Sequence, residues 1–168
     1  MPKKDQGVFH DRYQVVPRTL IFMLDGDKVL LLKGEPHKRL WANLYNGVGG
    51  HVERGEDVFS SATRELKEET GIVTDRLRLC GSILIDASEM VGIHLFVFKG
   101  IYSGDSLLAS NEGSLEWIKI SELSHYPLVE DLTIILPEIL NLEDGKMVYA
   151  HYEYGEEDDR LKIRHFIK

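Results

Sequence analysis

The chain has 168 residues, enough for one domain with a sizeable core, and its 43% apolar and 29% charged residues are those of a soluble globular protein. A net charge of −8 lacks the basic footprint that duplex nucleic acid requires, and no run of 18 or more apolar residues is present to span a membrane. The single cysteine, Cys80, excludes an internal disulfide framework and fits a reducing, cytoplasmic setting. Residues 1–12 read as a flexible tail, without the apolar segment of a secretory signal, and residues 13–168 as one domain.

In chain order, strands are expected near 15–24 and 28–34, joined at Asp25-Gly26-Asp27, because Asp-Gly between apolar runs is a hairpin signal. An irregular or short-strand region follows at 44–52, with three glycines, and then a helix over 57–70. Asp57 can cap that helix and Gly71 can end it, with Val58, Phe59, Ala62 and Leu66 as the apolar stripe. Strands near 76–86, 92–101 and 114–120 come next. A second helix is expected over 129–141, kinked at Pro137 or broken just before it. Two last strands, 146–154 and 160–167, flank an acidic turn. Mixed strands with two helices make an α+β fold, an α/β/α sandwich. Cys80 lies in an apolar strand pattern and reads as buried and inert, and the seven histidines show no zinc spacing.

The chemistry concentrates in the helix over 57–70. Glu65, Glu68 and Glu69 stand at i, i+3 and i+4, so three carboxylates share one side and repel one another. A hard cation removes that repulsion, and Mg²⁺ or Mn²⁺ takes oxygen ligands and shares its shell with phosphates. Gly49-Gly50 brings bare backbone close to the helix start, where a carbonyl can serve as a ligand, and Arg64 can orient a neighbouring carboxylate. A metal ion that acidifies water, beside a carboxylate base, points to phosphoanhydride hydrolysis.

Gly50, five residues, Glu56, seven residues and Arg64-Glu65-Leu66-Lys67-Glu68-Glu69-Thr70-Gly71-Ile72 together resemble the Nudix box in every defining position. At average residue usage a chance match is on the order of 10⁻⁹ per window. The resemblance implies an α+β Nudix sandwich with a mixed central sheet, and Mg²⁺- or Mn²⁺-dependent hydrolysis of a nucleoside diphosphate linked to another group. It also implies roles by position: Gly50, Glu65, Glu68 and Glu69 as metal ligands, and Glu65, Arg64 and Glu68 in catalysis, with Glu65 a ligand or the general base.

Outside the box the chain is similar to the MutT-type branch, which includes oxidised-purine nucleoside triphosphate hydrolases. Tyr45-Asn46-Gly47 resembles a segment whose Asn contacts the purine, although Asn is also a common turn residue. Asn111-Glu112-Gly113 resembles a loop that supplies another acidic metal ligand, Glu112. Glu130-Asp131 stands where that branch places two acidic residues that read the base, although Leu128 and Val129 replace its preceding aromatic and proline, and Asp131 is equally suited to capping a helix. Trp41, Tyr152 and Tyr154 can stack on a base or belong to the core.

These features lead to an expected (d)NTP or oxidised-purine (d)NTP substrate, giving monophosphate and pyrophosphate. ADP-ribose, a dinucleotide polyphosphate or a nucleotide sugar are the alternative substrates. An isomerase on isopentenyl diphosphate is disfavoured by the position of Cys80, and a non-enzymatic nucleotide sensor by the complete set of box carboxylates. The expected partner is a small nucleotide, with no nucleic acid polymer and no membrane, and the chain is expected to be a monomer or homodimer.

Overall fold

In the computed structural model, which describes residues 2, 5–7, 9–37, 40–102, 104, 113–155 and 160–168, the Asp-Gly signal does form a hairpin. Strand β1 (Gln14–Asp25) returns as β2 (Lys28–Gly34), with Asp25 opposite Lys28. Gly26 turns the corner at φ 58°, a conformation that a side chain disfavours. β2 then diverges from β1, and the residues approaching the box take its place. A short strand β3 (Tyr45–Asn46) pairs with the end of β2, Val48 bridges Ile21, and His51 bridges Arg18. Gly49 and Gly50 are thereby laid alongside β1.

Helix α1 (Val58–Thr70) starts and stops where its caps predict. The Asp57 carboxylate accepts from the Phe59 and Ser60 N–H groups at 2.8 and 3.0 Å, and Gly71 ends the helix in the left-handed conformation at φ 78°. Strands β4 (Arg78–Asp86), β5 (Val91–Ile101) and β6 (Gly113–Lys119) follow. A 3₁₀ segment, Ile120–His125, was not expected from the sequence. Helix α2 (Leu132–Leu140) is shorter than the 129–141 expectation and runs on through Pro137 instead of breaking before it. The bond lost at Pro137 would have gone to the carbonyl of exposed Thr133, while Leu132, Ile135, Leu136 and Ile139 stay buried and hold the helix on the sheet. Strands β7 (Val148–Tyr154) and β8 (Leu161–Ile167) complete the chain.

Among the described residues the strands form one eight-stranded sheet, ordered β3-β2-β1-β5-β4-β7-β8, with β6 also on β2. β1–β5 and β4–β7 are parallel and the other pairs antiparallel, so the sheet is mixed, as expected for the α+β sandwich. The two-residue alternation of β1 divides the core. Ile21 and Met23 pack with Ala62 and Leu66 of α1, while Leu20 and Phe22 pack with Leu132, Ile135 and Ile139 of α2. Cys80 is fully buried, donates to the Val97 carbonyl at 3.3 Å, and is pushed up to about 11 by burial, which keeps it an inert thiol. Among the described residues no helix is long and apolar enough to cross a membrane.

Candidate active site

Arg64 organises the carboxylates of the box. It grips Glu56 with two nitrogens, at 3.1 Å from Nε and 2.7 Å from Nη2, and its Nη1 donates to Glu65 at 2.8 Å and to Glu68 at 3.1 Å. Nη2 also donates to the His51 carbonyl at 3.1 Å, which ties the helix to the loop before it. Glu56 lies just outside the helix. It precedes the capping residue Asp57 and turns to the guanidinium, which holds its carboxyl down at about 2. Among the three helix carboxylates, two therefore already share a positive charge, and Arg64 itself is driven above its ordinary value by Glu56 first and Glu65 next.

The two glycines serve different purposes. At Gly49, with φ 150°, a Cβ would run into the Thr19 carbonyl, so the strand-like contact with β1 needs glycine there. At Gly50 a Cβ would lie 2.5–2.7 Å from the carboxyl atoms of Glu65, so the missing side chain is the space that the carboxylate occupies. The Gly50 carbonyl accepts from the Thr19 N–H at 2.9 Å and keeps a second lone pair. Glu69 is buried and accepts from the Gly49 N–H at 3.2 Å, whereas the Glu68 side chain is 59% exposed. Among the described residues no three His, Cys, Asp or Glu side chains converge into a ready-made metal cage. The donor set nevertheless suits a hard divalent cation: carboxylates on one helix face, the carbonyl of the glycine that Glu65 packs against, and one carboxylate exposed enough to swing. Glu112 lies outside the described residues.

The remaining sequence-predicted residues meet in one cavity of about 440 Å³. Gly49 and Glu69 line it beside the box, and Asn46, Glu130 and Asp131 line it further away. The join is made by Tyr45, whose N–H donates to the Pro127 carbonyl at 2.9 Å and whose carbonyl accepts from Val129 at 3.0 Å. Asn46 lies in β3, and its Oδ1 accepts from the Gly47 N–H at 2.8 Å, which leaves the donor role to its amide nitrogen. Asp131 occupies the N-cap position of α2 but makes no side-chain capping bond. Its carboxyl is pushed upward by burial, with a smaller upward contribution from Glu130.

Two features of this cavity were not singled out as site residues. Arg18 stacks over Trp41, 5.8 Å from the ring centroid, and both line the cavity. Trp41 itself is held at φ 58°, an uncommon conformation for a bulky side chain. Tyr152, 1% exposed, lines the same cavity from β7, and its hydroxyl is buried without a hydrogen-bond partner. The alternation of β7 marks Tyr152 as core, and a phenol at a core position was the available signal.

Comparison with known proteins follows the same line. The NUDIX domain family model matches residues 15–139. The mouse oxidized purine nucleoside triphosphate hydrolase is 27% identical over 85% of this chain and 89% of its own length. Nudix hydrolase YvcI of Bacillus subtilis is 31% identical over 82% of this chain and 86% of its own. The crystal structure of a MutT protein from Bacillus halodurans superposes with a TM-score of 0.76 at 27% identity, covering 90% of this chain and 97% of that one.

Proposed function

The chain belongs to the Nudix hydrolases, pyrophosphohydrolases that generally use divalent metal ions, and from that premise we propose that it cleaves a purine or oxidised-purine nucleoside triphosphate to the monophosphate and pyrophosphate. One observation carries this reading: a single cavity joins Glu69 and Gly49 of the box to Asn46, Glu130 and Asp131. Its volume, about 440 Å³, suits a nucleoside. The name of the mouse relative favours oxidised purines.

In this reading Glu65, Glu68, Glu69, the Gly50 carbonyl and Glu112 would hold Mg²⁺ or Mn²⁺. Such an ion acidifies water, offsets phosphate charge and aligns the attack. The chain's own residues do the rest. Glu65 accepts a proton from the attacking water, while Arg64 fixes its orientation and that of Glu68 through Nη1. Asn46 offers its amide nitrogen to an acceptor on the base. Asp131, whose carboxyl is pushed upward by burial, and Glu130 beside it offer two carboxyl groups to the edge of the base.

The test is a panel of (d)NTPs, 8-oxo-dGTP, ADP-ribose and a dinucleotide polyphosphate with Mg²⁺, following monophosphate and pyrophosphate. Turnover of one or more triphosphates with a kcat/KM at least tenfold above that of ADP-ribose is expected. If every triphosphate stays intact, the substrate reading fails.

A further inference from the structure

We propose that Tyr152 is the positioning residue for Asp131: its phenol closes onto the Asp131 carboxyl when a base fills the cavity, fixing which carboxyl oxygen faces that base. The proposal rests on the nucleotide reading of the cavity. It begins from an anomaly of packing. Val148, Ala150 and Tyr152 alternate into the core under α2, and a phenylalanine at 152 would fill that place without a hydroxyl. The hydroxyl is buried, and no protein group meets it in hydrogen-bonding geometry. Buried polar groups left in this way are uncommon and destabilising.

The nearest relevant group is Asp131. Burial first, and then the Asp131 charge, drive the phenol upward, and the phenol in turn favours the Asp131 carboxylate. The two groups are thus close enough to influence each other, although the phenol meets no partner in full hydrogen-bonding geometry. The Asp131 side chain makes no capping bond to α2, so a turn of its carboxyl lets the phenol O–H close the bond. Glu130 on the same segment, Tyr154 of β7, Glu69 of α1 and Arg18 of β1 also line this cavity, and none of them is bonded to the Tyr152 hydroxyl. The ring lines the cavity but the hydroxyl is buried behind it, so the hydroxyl acts through Asp131.

The experiment compares the intact protein with Tyr152→Phe on a purine nucleoside triphosphate and on a base-free ribosyl triphosphate, both with Mg²⁺, and records the Tm without ligand. One hydrogen bond formed only in the complex is worth about tenfold or less. We expect KM for the nucleotide to rise roughly five- to tenfold, with kcat within about twofold, no change for the base-free substrate, and an unliganded Tm that is unchanged or higher. In an Asp131→Ala background the same substitution should have no effect on KM. An unchanged nucleotide KM, an equal loss on the base-free substrate, a persistent effect without Asp131, or a lowered Tm would each overturn the proposal. If the wild-type protein hydrolyses no nucleoside triphosphate, the substrate reading fails by itself. Tyr152 is then judged by GMP binding in calorimetry without metal, where binding that is absent or unaffected by Tyr152→Phe overturns the proposal.

Discussion

Replacing Gly50 by alanine separates geometry from stability at the centre of the box. The new Cβ would lie 2.5 Å from Glu65 Oε1, where an ordinary contact begins at 3.4 Å, so the carboxylate must retreat by roughly 1 Å. The obstacle is the tip of a side chain, and Gly50 has no positive φ, so folding tolerates the change. Catalysis does not, because a misplacement of about 1 Å costs on the order of 10²-fold in rate. Gly49→Ala supplies the contrast: its Cβ meets the Thr19 backbone at φ 150°, and the strain, about 1–3 kcal/mol, should lower Tm by roughly 2–10 °C. Pyrophosphate release with Mg²⁺ and thermal melts, run on both variants, give the answer. If Gly50→Ala keeps kcat within about threefold of wild type, or melts as early as Gly49→Ala, the reasoning about Glu65 is wrong.

Three further outcomes are expected. Arg64→Met releases Glu56, Glu65 and Glu68 together and should lower kcat by roughly 10²-fold or more. It should also flatten the acid side of the stability curve. Glu56 is held at about 2, below its ordinary 4.5, so its contribution is present above pH 4.5 and is lost as pH falls toward 2; melts from pH 6 to 3 that run parallel in both proteins would contradict this. Glu69→Gln keeps an oxygen for the Gly49 N–H but removes a ligand charge, so turnover should fall by roughly 10²-fold while Tm shifts by only about 2 °C or less, and retained activity would remove Glu69 from the metal site. Asp131→Asn removes a carboxyl whose folded-state value is raised. The native state binds the extra proton between the unfolded and folded values, so the wild type loses stability as pH rises through that window; the variant's Tm advantage should therefore grow from pH 4 to 8, and a constant difference would refute it.

How much of this was legible in the sequence depends on whether the signal was local. Asp57 and Gly71 announced α1, and Asp25-Gly26-Asp27 announced its hairpin, because caps and turns are decided by a few adjacent residues. Pro137 left a kink and a break both open, and the helix continues through it because four buried side chains on the sheet outweigh one lost hydrogen bond. The parallel pairing of β1 with β5 joins residues some 77 positions apart, Gln14 with Val91, and no local pattern names that partner. The site divides in the same way. Arg64 was expected to orient Glu65, but its grip on Glu56, eight residues earlier, and on Glu68 emerged only from the fold. The repulsion among the box carboxylates pointed to a cation, and a guanidinium already supplies part of that charge. Tyr152 was weighed as a stacking or core residue, and only its unpaired hydroxyl gives it another role.

The backbone bonds of Tyr45 also bear on how such a protein can change. Thr19 and Ile21 clamp the segment that carries Gly50, while among the described residues it is the backbone of Tyr45 that bonds the Pro127–Val129 segment to the sheet beside it. The two clamps share no hydrogen bond, so residues 128–131 can be exchanged without moving the carboxylates that attack the phosphate. Descendants of such a chain can try new bases while inheriting an intact reaction, whereas an altered reaction would require rebuilding the contact between β1 and the glycines. Divergence is therefore inexpensive at one end of the cavity and heavily constrained at the other.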